Sequence, residues 1–101
     1  MIPPICILLM NIRAETLRRW SFRGTPIKAV RIGAPQYMEM KQFLMPLLSV
    51  KTEDVCHFSG VRYYVDPEFD GVELEYVEES AAVVMVALEV AATLNLPCRA
   101  L

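Results

Sequence analysis

The sequence predicts a small single-domain α+β sandwich over residues 1–101, with a mostly antiparallel sheet and two helices on one face, in the order β-β-α-β-β-α. A length of 101 residues allows one domain with one core. Residues 72–78 alternate apolar and acidic side chains, which is typical of a half-buried strand. Residues 80–96 form an alanine-rich apolar stretch long enough for a buried helix.

The first two elements are predicted to be strands. Residues 5–23 fit two periods, because Ala14, Leu17 and Trp20 share a helix face whereas the run Trp-Ser-Phe-Arg alternates as a strand does. We favour the strand. Residues 26–32 contain several β-branched side chains and end at a Gly-Ala-Pro turn, which indicates a second strand.

A helix is predicted next, over residues 37–48. Pro35 suits the first turn of a helix, where its missing N–H is harmless. Pro46 is expected to end or kink the helix. Four apolar residues follow helical spacing on one face of this segment: Tyr37, Met40, Leu44 and Leu47.

The second half of the chain is predicted to form a hairpin and a helix. Residues 61–66 and 72–78 both resemble strands, and the Pro- and Gly-containing loop between them indicates that they pair directly. Ser80 is placed to cap the last helix, which stops before Pro97. This helix is apolar on nearly every side, so we expect it to lie between the sheet and another surface, such as a second subunit.

Charge is distributed unevenly along the chain, although the net charge is only −2. Residues 1–36 contain six basic residues and one acidic residue, whereas residues 51–101 contain ten acidic and three basic residues. Such asymmetry fits pairing inside the molecule, head-to-tail assembly, or separate basic and acidic binding faces. Apolar residues make up 54% of the chain, which exceeds the usual share and favours a homo-oligomer, with a dimer preferred.

The apolar segments and the cysteines predict a cytoplasmic protein without a membrane span. The apolar stretch over residues 81–96 is shorter than the about 20 residues that cross a bilayer, and it contains Glu89. Residues 1–9 lack the features of a signal peptide, and they would be an extension if Met10 were the true start. Three widely spaced cysteines indicate a reducing compartment.

The leading functional hypothesis is a non-enzymatic protein-interaction or regulatory module that acts through its charged faces. Its candidate binding face is acidic, because alternate carboxylates share one side of a strand and the preceding loop extends the strip. The alternative is an ordinary solvent face of an antiparallel sheet, where glutamates also discourage edge aggregation. The candidate protein-binding residues are Asp66, Glu68, Asp70, Glu73 and Glu75.

A second hypothesis is nucleic-acid binding through the arginine-rich N-terminal segment. Arginines bind phosphates, and exposed aromatic rings stack on bases. An isoelectric point near 5.3 and the usual burial of a single tryptophan count against it. The candidate residues are Arg13, Arg18, Arg19, Arg23 and Trp20.

A third hypothesis is a small enzyme that uses Cys56 or His57. A catalytic thiolate needs a base within reach, but neighbouring residues on a strand point to opposite faces. Cys6, Cys56, His57 and Cys98 lack the short paired spacings of metal ligands, so no metal is predicted. No glycine-rich phosphate loop or nucleophile elbow is present in the sequence, and no cofactor is predicted.

Overall fold

The computed structural model describes residues 1–44 and 56–101, which form three helices and five strands. The elements are α1 (Pro4–Arg19), β1 (Ala29–Gly33), α2 (Ala34–Leu44), β2 (Cys56–Phe58), β3 (Val61–Asp66), β4 (Val72–Tyr76), α3 (Ala81–Leu94) and β5 (Cys98–Ala100). The α+β class is confirmed. The predicted count of two helices and the order β-β-α-β-β-α are wrong, because the chain begins with a helix and ends with a strand.

The five strands form one mixed sheet in the order β2-β3-β1-β4-β5. Strands β2 and β3 pair antiparallel, as do β1 and β4, whereas β1 pairs parallel with β3 and β4 pairs parallel with β5. The prediction of a mostly antiparallel sheet is therefore wrong. Helix α3 separates β4 from β5 along the chain, and a helical crossover of this kind allows neighbouring strands to run in the same direction.

The strand predicted within residues 5–23 is a helix, α1. Pro4 stands at its first turn, and Ile5, Leu9, Ile12 and Thr16 are buried at helical spacing. The fourth of these buried positions is polar, so the apolar period along the helix is incomplete. The hydroxyl of Thr16 donates a hydrogen bond to the backbone oxygen of Ile12 at 2.7 Å, which satisfies it inside the core.

Residues 61–66 and most of residues 72–78 are strands as predicted, but they do not pair with each other. Strand β1 lies between β3 and β4 and pairs with both. The hairpin of this sheet is instead β2–β3, which turns at Ser59 and Gly60, both with positive φ. Two consecutive residues with left-handed backbone conformation form a tight two-residue turn whose twist matches that of the flanking strands.

Helices α2 and α3 agree with the predicted segments over the residues described. Met40 of α2 is buried, while the predicted positions Pro46 and Leu47 lie outside the described residues. The N-cap prediction for α3 is confirmed, because Ser80 Oγ accepts a hydrogen bond from the backbone N–H of Val83 at 3.2 Å. The helix ends at Asn95, which adopts the left-handed conformation.

The helices pack on one face of the sheet. Register places Val30, Tyr63 and Leu74 side by side on that face, and all three are buried in the core cluster with residues of every helix. Side chains that alternate with these occupy the opposite side, called the open face below. The core also includes Ile5 and Leu9, from the segment considered as an extension. Among the residues described, no helix is long and apolar enough to cross a membrane.

Candidate anion-binding groove

The strand residues of the predicted acidic face are paired with arginines of the same chain. On the open face, Arg31 contacts Asp66 at 2.6 Å and Glu73 at 3.3 Å. Glu75 is only 2% exposed and accepts hydrogen bonds from Arg99 and from the Tyr64 hydroxyl. The three strand carboxylates therefore each contact an arginine of the same chain. Glu75 is buried and does not lie on a solvated surface.

The loop residues of the acidic face are differently placed. Glu68 and Asp70 are exposed on the loop between β3 and β4. Asp70 accepts a hydrogen bond from Gln36 at 2.8 Å, and the backbone N–H of Glu68 donates to Asp66. The loop also carries Phe69, whose ring lies 3.9 Å from the Arg31 guanidinium. The loop is thus held over the open face, and only its two exposed carboxylates extend the acidic strip outward.

Replacement of Arg31 by leucine is expected to destabilise the fold at neutral pH and to have less effect in acid. The hydrogen bond from Arg31 lowers the pKa of Asp66. The ionised carboxylate therefore contributes its full stabilisation at pH values above the ordinary aspartate pKa of about 3.9. That contribution is lost as pH falls through the lowered pKa. Urea unfolding of the native chain and of Arg31→Leu between pH 7 and pH 3 measures how their difference in stability changes with pH. A stability difference that stays constant with pH would contradict it, and Lys41→Leu is the control.

The predicted basic N-terminal segment is divided by its ion pairs. Arg18 and Arg19 both bind Glu15, and the hydrogen bond from Arg19 is the main cause that lowers the pKa of Glu15. Arg19 also lies 3.5 Å from Glu89 of α3, so it links two helices. Arg13 and Arg23 have no carboxylate partner in the described part of the chain. The four candidate arginines therefore divide into two that form ion pairs and two without a carboxylate partner among the described residues.

Cys56 and His57 lie on opposite faces of β2. Cys56 packs against the core beside Tyr63, whereas His57 is exposed on the open face opposite Arg62. The two side chains therefore do not form a nucleophile–base pair with each other. Cys98 lies in β5 at the other edge of the five-stranded sheet, about 19 Å from β2 at the usual strand spacing.

A groove opens where α1, the segment before β1, and the β2–β3 hairpin meet. Its volume is about 210 Å³. Buried apolar or hydrogen-bonded residues form its floor: Ile12, Thr16, Ile27 and Val61. Exposed polar residues and one glycine form its rim: Arg13, Thr25, Lys28, His57, Gly60 and Arg62. We call this site the basic groove, since it contains no acidic lining residue among those described.

The local structure explains how the rim is assembled. Arg13 extends from α1 across the hairpin turn, and a Cβ at Gly60 would lie 3.1 Å from its Cζ atom, so a side chain there would crowd the guanidinium. The two-residue turn places His57 and Arg62 directly opposite each other. Lys28 is held at the entrance to β1 by a 2.8 Å hydrogen bond from its backbone N–H to the backbone oxygen of Glu75. Three separate elements thus contribute one cation each.

Ion pairing distinguishes the groove cations from four of the other basic residues. Arg18, Arg19, Arg31 and Arg99 each contact a carboxylate. The three groove cations have no carboxylate partner within residues 1–44 and 56–101. A cleft lined by charge of one sign attracts counter-ions and raises their local concentration. Guanidinium and ammonium groups bind phosphate oxygens, and the volume suits a phosphate-sized group better than a drug-sized ligand.

Of the three groove cations, only Arg13 is among the binding residues that the sequence predicts. The sequence does not predict Lys28 or Arg62 as binding residues, and it presents His57 only as a possible catalytic residue or metal ligand. The signal that could have found Arg62 is the Ser-Gly pair, because a two-residue turn at 59 and 60 places residues 57 and 62 opposite each other. Lys28 had no comparable local signal, since its place depends on the packing of β1 between β3 and β4.

Comparisons of this chain with protein-family models, with curated proteins and with solved structures find no match.

Proposed function

We propose that this protein is a non-enzymatic binding module that holds a phosphate-bearing anion in its basic groove. The observation that carries the proposal is the grouping of three cations, Arg13, Lys28 and Arg62, around one groove of a protein with net charge −2, none of them with a carboxylate partner among the described residues. Elsewhere on the described surface, four arginines have a carboxylate partner. Close cations without counter-charges repel one another, and a bound anion relieves that repulsion.

The groove also supports the interaction-module hypothesis more strongly than the acidic face does. To bind a basic partner, the strand carboxylates of the acidic face would have to give up their ion pairs with Arg31 and Arg99, so the net gain in binding free energy would be small. These carboxylates are Asp66, Glu73 and Glu75. The groove cations have no carboxylate to give up among the described residues, so on binding an anion they would release water and mobile ions. Docking of a basic partner therefore depends on the exposed loop residues Glu68 and Asp70. The predicted absence of a cofactor and the cytoplasmic location stay predictions.

The experiment that tests the proposal is calorimetric titration of the protein with inorganic polyphosphate at two salt concentrations. Each phosphate contact contributes about 0.7 to the slope of log K against log salt for a flexible single-stranded polyanion. Three contacts therefore predict a roughly 20-fold loss of affinity between 50 and 200 mM salt. Absence of binding at 50 mM salt, or an affinity that does not change with salt, would reject the groove as an anion site.

The homodimer stays a proposal, and the apolar exterior of α1 supports it. Ile7, Met10 and Leu17 follow helical spacing and are 46%, 43% and 59% exposed. We expect light scattering to detect a dimer for the native chain and a monomer for Leu17→Glu, because a charge in this stripe would have to be desolvated. Met38→Glu on α2 is the matched control, since Met38 is also exposed. A native chain that is monomeric at every concentration would contradict the proposal.

A further inference from the structure

An exposed aromatic side chain lies on the segment that joins α1 to the groove. Phe22 is 67% exposed, although phenylalanine is among the residue types most often buried. It contacts Trp20 edge to face, with ring centroids 5.2 Å apart and an interplanar angle of 68°. Phe22 thus presents most of its surface to solvent while one neighbour fixes its position.

Trp20 anchors this aromatic pair to the domain. Its ring packs against the core cluster, and its Nε1 donates a hydrogen bond to the backbone oxygen of Gly24 at 3.2 Å. The short loop is therefore closed on itself beside the end of α1. Because Trp20 is held at both its apolar and polar ends, the Phe22 ring that leans on it is preorganised, and ordering it on binding costs little entropy.

The aromatic pair is close to the basic groove. Trp20 is the residue that ends α1, and its backbone lies about 10 Å from that of Arg13 along the helix axis. The loop then continues through Arg23, which has no carboxylate partner among the residues described, into the groove wall at Thr25. A ligand that extends out of the groove along α1 would therefore meet a further cation and an exposed ring.

Cations beside an exposed aromatic ring are the combination that binds unpaired nucleic acid. The backbone phosphates need the cations, and the flat face of a base stacks on an aromatic side chain whatever its sequence. In a duplex the base faces are already stacked on each other, so a ring on a protein surface cannot reach them. An acidic peptide or a bare polyphosphate would use the groove but would gain nothing from Phe22.

From this placement we infer that the phosphate-bearing partner is a single-stranded nucleic acid, with a phosphate in the basic groove and a base stacked on Phe22. The inference rests on the proposed function, since it names the partner of the same groove. It assigns Phe22 and Arg23 to the binding surface, in addition to Arg13, Lys28 and Arg62. Sequence specificity is not expected, because stacking and phosphate contacts do not distinguish the bases.

Fluorescence anisotropy with a short labelled oligo(dT) tests the inference, alongside calorimetry with inorganic polyphosphate. We expect Phe22→Leu to weaken oligo(dT) binding about tenfold, from the known range for one stacked base, and Phe22→Tyr to retain it. Polyphosphate binding should stay the same in both variants. The emission of Trp20, the chain's single tryptophan, should change when oligo(dT) binds. Because Phe22 is exposed, neither variant should lower the melting temperature.

The outcomes separate the two proposals. If polyphosphate or poly-glutamate binds as tightly as oligo(dT), and Phe22→Leu changes nothing, the nucleic-acid inference is overturned while the groove proposal stands. Equal affinity for oligo(dT) and its duplex would also overturn the inference. If none of these polyanions binds at low salt, both proposals fail.

Discussion

A double charge reversal in the basic groove, Arg13→Glu with Arg62→Glu, is expected to weaken polyphosphate binding by about two orders of magnitude. Each reversal replaces an attraction with a repulsion. We expect each to cost about 1.4 kcal/mol of binding free energy, which corresponds to a tenfold loss of affinity. The slope of log K against log salt should also fall, since fewer counter-ions are released. Calorimetry at 50 mM salt gives the affinity, and repeating it at 200 mM gives the slope.

The control for this result is Lys41→Glu. Lys41 is an exposed cation in the last turn of α2, and it has no carboxylate partner in the described part of the chain. Its reversal changes the net charge by the same amount as either groove reversal does. If binding depends on the groove, Lys41→Glu leaves the affinity nearly unchanged. A loss of the same size in Lys41→Glu and in Arg62→Glu would show that net charge, rather than the groove, controls binding.

Replacement of Gly33 by alanine is expected to destabilise the fold by about 3 kcal/mol, at the upper end of the range for overpacking. A Cβ at Gly33 would collide with the backbone oxygen of Phe69 and would lie 2.8 Å from the Cα of Asp70. Both are backbone atoms of the β3–β4 loop, which cannot yield as a flexible side chain would. The 3.0 Å hydrogen bond from the Gly33 N–H to Gly71 would also be strained.

Gly24→Ala is the matched control for this prediction, because no atom lies within 4 Å of the added Cβ. Gly24 has φ +79°, so alanine there costs only the strain of a left-handed residue, about 1 kcal/mol. Urea unfolding of the two variants measures the difference. Equal losses of stability would mean that the loop moves freely away from the end of β1, contrary to the close approach described above.

Local structure was predicted best where one short segment contains the whole signal. The alternation of residues 72–78 identified β4, and Ser80 identified the start of α3. In contrast, the alternation of residues 20–23 favours a strand in a segment that mostly forms α1. The buried face of this helix includes Thr16, whose hydroxyl is satisfied by a backbone oxygen of the same helix. A polar residue at a buried position interrupts the apolar period on which the prediction relies.

Strand pairing could not be predicted in the same way. The loop between β3 and β4 contains the turn residues typical of a hairpin, yet β1 occupies the place between these strands. Insertion of β1 depends on the packing of Val30 and Ile32 against the helices and on the close approach at Gly33. Those contacts join residues far apart in sequence, which local turn chemistry does not specify.

The sequence by itself determined the α+β class, the segments of five elements (β1, α2, β3, β4 and α3), the cap of α3, and the uneven distribution of charge. Only the tertiary structure decided which charges are neutralised and which remain available. Arg31 and Asp66 are 35 residues apart and form an ion pair across β1 and β3, whereas Arg13 and Arg62 meet at a groove without a carboxylate among the described residues. The physical reason is that periodicity and capping act over a few neighbouring residues, while ion pairs and grooves depend on strand order.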